Sequence, residues 1–115
     1  PKDNNFGKSP KEVLSKSSQF SFNLADHLTK NNFTLYTTFW CSHCEEQKEL
    51  FGKEASKKLN IIECDINGKN NQYSLCNKKN LIGFPTWEFN GIRESGTKSL
   101  KDLADLSGYK SKEPF

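Results

Sequence analysis

The chain of 115 residues contains no methionine and a single arginine, Arg93. No stretch approaches the roughly 18 to 20 consecutive apolar residues that would cross a bilayer, so these residues supply no membrane helix of their own. The lack of arginine argues against nucleic acid. Phosphate and base readers concentrate basic charge and favour the guanidinium fork, whereas the sixteen lysines here are scattered among Asp, Glu and Asn and give a formal net charge of only +3. They are expected to form a solvated surface. The absence of any methionine, with Pro1 at the start, leads to the expectation of a piece excised from a longer protein whose signal or anchor has been lost. Hydrophobic residues make up 33% of the sequence and the mean hydropathy is −0.82. A single domain with a small core and some unpacked polar sequence follows, because domains run from about 50 to 250 residues.

Four cysteines stand out in a chain of this size: Cys41, Cys44, Cys64 and Cys76. Three disulfide connectivities are possible, and the two-residue spacing favours Cys41 with Cys44, leaving Cys64 with Cys76.

Residues 1–19 are rich in Lys, Ser and Asn and are expected to be a flexible lead, with one helical turn near 11–16. Phe20, Leu24, Ala25 and Leu28 recur at helical spacing behind Ser21, the expected N-cap, and Asn31 and Asn32 stop the run. TLYTTFW at 34–40 reads as a strand. Residues 43–58 read as a helix that Gly52 interrupts, LNIIEC at 59–64 as a second strand, and 72–79 as a short helix. TWEFNGIRES after Pro85 reads as a hairpin turning at Asn90 and Gly91, and Ser99 caps a last helix in which Leu100, Leu103, Ala104 and Leu106 share a face before Gly108. A strand, helix, strand start followed by a hairpin and a helix predicts an α/β fold, a four-stranded mixed sheet flanked by helices. The expected domain covers 20–109, with 110–115 as tail.

The cysteines of Trp40-Cys41-Ser42-His43-Cys44 sit at a strand-to-helix junction. A helix start offers unsatisfied backbone N–H groups and the positive end of the helix dipole, which favour negative charge on the first sulfur. Cys41 is the expected exposed, attacking sulfur and Cys44 the more buried, resolving one, with His43 adding positive charge or a hydrogen bond. The alternatives are a zinc site completed by Cys64 and Cys76 or by His43, and a purely structural disulfide. The long gap in the second pair lacks the knuckle spacing usual in zinc ribbons, which leaves redox chemistry the stronger reading. His27 is expected to be a helix-surface residue, and Trp40 and Trp87 mainly packing residues, Trp40 also shielding the active sulfur. For Cys64 and Cys76 a structural crosslink is expected, closing a loop of about a dozen residues and stabilising by roughly 3 kcal/mol.

WCxxC at a strand-to-helix turn, then Gly83-Phe84-Pro85-Thr86 before a hairpin and terminal helix, resembles the thioredoxin-like superfamily over about residues 32–108. The resemblance implies that Pro85 is cis and packs on the dithiol, and that Phe84 offers its backbone to a substrate peptide as an added strand. FWCSHCEEQKELFG, the extra pair Cys64 and Cys76, GFPTWEFNG and SLKDLADLSGY look more specifically like the soluble domain attached to bacterial and plant homologues of vitamin K epoxide reductase. That likeness implies a monomeric thiol–disulfide oxidoreductase with catalytic Cys41, Cys44 and His43 and substrate-binding Trp40, Phe84 and Pro85. It would pass its disulfide to reduced exported client proteins and be reoxidised by a membrane-embedded, quinone-linked reductase domain. No metal or organic cofactor is implied in this chain; the quinone would sit in the membrane partner. Two oxidised pairs imply an exported space such as the periplasm or thylakoid lumen. Leu35 stands where thioredoxins proper carry a buried acid, six positions before the first cysteine, so oxidase work is favoured over reductase work.

Overall fold

The structure is a computed structural model that describes residues 6–111. The outer residues of the expected lead (1–5) and tail (112–115) lie outside the described residues. The elements run α1 (Gln19–Lys30), β1 (Thr34–Thr37), α2 (Ser42–Phe51), α3 (Lys53–Ser56), β2 (Ile61–Glu63), α4 (Tyr73–Lys78), β3 (Thr86–Phe89), β4 (Ile92–Ser95) and α5 (Leu100–Ser107). The strands form one sheet in the order β2-β1-β3-β4, with β1 parallel to β2 and antiparallel to β3, and β3 antiparallel to β4. This is the four-stranded mixed sheet expected from the element order, flanked by helices.

Side-chain alternation along β1 divides the interior. Leu35, opposite Trp87 of β3, belongs to the main cluster with Phe20, Leu24 and Leu28 of α1, Phe51, Phe89 and Leu103. The next residue, Tyr36, turns to a second cluster with Ile62, Cys64 and Cys76. That is the period-two consequence of a strand covered on both faces. Fully burying a side chain the size of Leu28 or Phe51 contributes about 1.5–3 kcal/mol, so the main cluster supplies most of the drive to fold.

The helix ends show where local reading meets tertiary geometry. Ser18, not Ser21, caps α1: its Oγ accepts from Ser21 N at 3.0 Å, and Ser21 Oγ accepts in turn from Ser18 N at 3.0 Å. This reciprocal box satisfies two otherwise orphaned donors, and it starts the helix at Gln19. Strand β1 ends at Thr37 rather than running to Trp40, because Phe39 N donates to Glu63 Oε2 at 3.2 Å instead of joining the ladder, and the chain turns at 39–40. The hairpin turns at Asn90 (φ 51°) and Gly91 (φ 75°), the two left-handed residues that a type I′ turn demands. In α5, Leu103 and Ala104 are buried, but Leu106 is 42% exposed and does not share their face.

The helical turn expected near 11–16 does not form, and the described part of the lead is tied to the domain instead. Leu14 N and Ser15 N donate to the two carboxylate oxygens of Glu49, each at 2.9 Å. Ser17 N donates to Glu54 Oε1 at 3.0 Å, and Ser17 Oγ accepts from Ala55 N at 2.7 Å, capping the start of α3. Lys8 forms an isolated bridge with Gly68.

Candidate active site

Cys41 is the N-cap of α2. Its Sγ accepts from Cys44 N at 3.2 Å, satisfying one of the amides that a helix start leaves without a partner, and it lies 3.5 Å from the Phe84 carbonyl oxygen, to which the thiol donates. The sulfur is thus placed where an N–H and the helix dipole favour negative charge. Cys41 is 7% exposed and Cys44 1%, so the first sulfur is the more accessible of two largely covered groups rather than an open one. Both are free thiols. Burial and the hydrogen bond with Cys41 push the Cys44 thiol up, against the opposing pull of the Thr38 backbone and of Lys48.

Phe84–Pro85 is a cis peptide, and the turn it makes brings the Phe84 carbonyl to Cys41. Gly96 N donates to Pro85 O at 2.8 Å, which fastens this turn to the end of β4. Trp40 is 60% exposed, and its indole N–H donates to Asp65 Oδ2 at 2.7 Å. The expected packing role belongs to Trp87 alone; Trp40 is held by Asp65 at the rim of a groove of about 340 Å³ bordered also by Thr38, Ile66, Tyr73 and Phe84. Thr38 Oγ1 is buried there without a hydrogen-bond partner among the described residues.

His43, expected to add positive charge or a hydrogen bond beside the sulfurs, makes its ring contact with a carboxylate instead. Its Nδ1 contacts Glu46 Oε1 at 2.8 Å on the solvent side of α2, while its carbonyl accepts from Thr97 Oγ1 at 3.1 Å. The ring follows the helix surface because position 43 precedes the buried stripe of Cys44, Gln47, Lys48 and Phe51. His27, expected at a helix surface, is partly buried: its Nε2 lies 3.0 Å from Ser107 O and its ring packs tilted against Tyr109, the centroids 5.0 Å apart.

Cys64 and Cys76 are joined, with Cα atoms 5.6 Å apart, and both lie in the second core cluster. They are therefore not free to complete a four-cysteine zinc site with Cys41 and Cys44. Among the described residues no group of three or more His, Cys, Asp or Glu converges as a metal site would require.

Three supporting residues were not singled out from the sequence. Gln47 is fully buried, accepting from Trp87 Nε1 at 3.0 Å and Lys98 N at 2.8 Å and donating to Lys98 O at 3.0 Å. It ties the cysteine helix to β3 and to the loop before α5. Lys48 is 6% exposed. Glu63 ends β2, its Oε2 accepting from Phe39 N and from Asp65 N at 3.0 Å; burial pushes its carboxyl up despite those two donors. Spacing of three and four residues from Cys44 was the available signal for Gln47 and Lys48; Glu63 had none, since its role depends on the pairing of β1 with β2.

Sheet order, the dithiol capping α2 and the cis proline facing it define a thioredoxin-like domain. No family model matches the chain. It is similar, at 42% identity over 101 residues, to the thiol-disulfide oxidoreductase LTO1 of Arabidopsis thaliana, over 85% of this chain and 27% of that protein. The chain therefore spans about a quarter of the length of this relative. Among solved structures it is similar to oxidized glutaredoxin 2 of Chlamydomonas reinhardtii, with a TM-score of 0.44 and 16% identity over 78% of this chain and 94% of that one. Thioredoxin O2 of Arabidopsis thaliana in its oxidized state gives a TM-score of 0.41 and 15% identity over 84% and 90%.

Proposed function

We propose that this domain is a protein thiol–disulfide oxidoreductase that donates a Cys41–Cys44 disulfide to reduced, exported client proteins. The observation that carries this reading is the position of Cys41 Sγ, capping α2 against Cys44 N at 3.2 Å while facing the carbonyl of Phe84. A client thiolate attacks Cys41 Sγ, the Cys41–Cys44 bond breaks, and Cys44 leaves as a thiolate that takes up a proton. A second client thiolate then attacks the client sulfur of the mixed disulfide and Cys41 leaves in its turn. The client loses two electrons and the dithiol gains them. Phe84 offers its backbone to an extended client segment, cis Pro85 holds that segment over the sulfur, and Trp40 borders the groove that takes a client side chain.

Reoxidation falls, in this reading, to a membrane-embedded domain like vitamin K epoxide reductase, which passes the two electrons to a quinone. The sequence resemblance supports it. The chain itself needs no metal or organic cofactor and works as a monomer. A buried Cys64–Cys76 disulfide fits an oxidising compartment, the periplasm or thylakoid lumen. Leu35, buried in the apolar main cluster, leaves that position without a carboxylate and favours the oxidase direction.

Cys41→Ser is the test. Oxidation of a reduced, unfolded model protein by the preoxidised domain should vanish in this variant while its circular dichroism stays that of the parent; full activity would refute the assignment. An equilibrium potential near or above the roughly −200 to −230 mV of glutaredoxins supports the oxidase direction, and one near thioredoxin's value of about −270 mV supports a reductase.

A further inference from the structure

Lys48 has no part in the exchange steps above, yet it is 6% exposed on the helix that carries both cysteines. Lysine is almost never buried to this degree unless charge partners surround it. It follows Cys44 by four residues, one turn along the same face of α2, and both belong to the buried stripe of that helix. Strand β2 ends at Glu63, whose carboxylate is fixed by the amides of Phe39 and Asp65 and crowded by Gly68, where even a methyl group would collide with the Glu63 side chain. Lys48 acts electrostatically on both groups, on the Cys44 sulfur and on the Glu63 carboxyl. Among the described residues it forms no direct ion pair with either.

We propose that the Lys48 ammonium is the positioning charge for Cys44, stabilising the thiolate that departs when a client attacks the Cys41–Cys44 disulfide, with Glu63 as its counter-charge. The inference rests on the exchange reading given above. The need for such a group is physical: a sulfur 1% exposed leaves water behind, and a thiolate formed there without a compensating charge is costly. The charged and titratable groups bearing on this centre are Cys41 and Lys48 from α2, Glu63 from β2 and Asp65 from the loop after it. Lys48 is the cation among them. The proton balance is simple, for Cys44 leaves as the anion, Lys48 keeps its own proton, and the thiolate is protonated afterwards from solvent.

The experiment titrates Cys44 alone, in a Cys41→Ser background that retains the Cys64–Cys76 disulfide, by the pH dependence of iodoacetamide alkylation. Adding Lys48→Met should raise the midpoint by about one pH unit, a tenfold loss of alkylation rate at any pH below it. Lys48→Arg should return the rate to within about twofold of the background. A Lys48→Met midpoint equal to the background would overturn the proposal, whatever the variant's melting temperature. Should Lys48→Met not fold, Glu63→Gln keeps the shape and removes the counter-charge, so the Cys44 midpoint should fall; a midpoint unchanged or raised would equally overturn it. The titration needs no client or partner. A shift seen in a chain whose two-cysteine form does not exchange disulfides would sink the exchange reading, and no shift in an active chain would sink the role of Lys48.

Discussion

The two cysteine pairs follow neighbouring strands of one small fold, Cys41 after β1 and Cys64 after β2, and their surroundings assign them opposite tasks. Cys41 and Cys44 occupy the first turn of a helix, where the Cys41 sulfur meets a backbone amide and a carbonyl. Cys64 and Cys76, each 5% exposed, lie among Tyr36, Ile62, Leu75 and Leu81, and their bond ties the chain just after β2 to α4. In the first setting a helix-start amide meets the Cys41 sulfur, whereas in the second both sulfurs are crosslinked among apolar side chains. Identical atoms thus differ in reactivity because one pair faces dipoles and the other faces hydrocarbon.

The largest contrast is expected from serine replacements. Cys41→Ser should remove disulfide transfer and leave thermal stability within a few degrees of the parent. Cys76→Ser should do the reverse: transfer survives in the folded protein, while stability falls by roughly 3 kcal/mol, on the order of 10 °C in melting temperature. Calorimetry beside a client-oxidation assay reads both, and equal stability losses in the two variants would erase the distinction between the pairs.

Next in size is Gln47→Ala. It strips Trp87 Nε1 and Lys98 N of their acceptor inside the protein, so a loss of about 2–4 kcal/mol is expected, from a cavity and two unsatisfied donors together. Denaturant unfolding measures it, and a loss below about 1 kcal/mol would show that α2 is held to the sheet by other means.

A smaller effect concerns pH. Glu63 has its folded-state carboxyl raised by burial, so the native protein binds that proton more tightly than the unfolded chain does. Its contribution is most favourable below the ordinary carboxylate value and is lost as pH rises from there through the folded value. Glu63→Gln should therefore flatten stability against pH in that range, as read by melting at a series of pH values; an unaltered slope would contradict the burial of this carboxyl. The smallest effect belongs to Glu49, whose carboxyl is lowered chiefly by the Leu14 amide and by Ser15. Its hold on the lead is present above the ordinary carboxylate value and weakens as pH falls through the lowered one. In Glu49→Gln, hydrogen exchange at Leu14 and Ser15 should quicken severalfold near neutral pH with transfer activity unchanged.

What the sequence made legible was whatever depended on neighbours in the chain. Asn90-Gly91 announces its turn, the Cys41 to Cys44 spacing announces a dithiol at a helix start, and the alternation of strand and helix signals leads to the mixed sheet. What stayed hidden depends on partners brought together by folding. Glu49 reaches Leu14 across 35 positions, Gln47 reaches Trp87 across 40, and Glu63 takes the Phe39 amide across 24. A polar lead rich in Lys and Ser reads as detached because its own side chains bury little; backbone amides, which every residue owns, do the attaching. His43 reads as a partner of the sulfurs by adjacency, yet a helix separates neighbours by about 100°, and its ring turns to Glu46.

The most direct measurement is a side-by-side alkylation of the four cysteines after gentle reduction of the first pair, with each modified peptide quantified by mass spectrometry over time. Cys41 should be labelled first and fastest, Cys44 slowly, and Cys64 and Cys76 only after unfolding. Labelling of Cys41 no faster than that of Cys44 would contradict the assignment of the helix-capping sulfur as the reactive one.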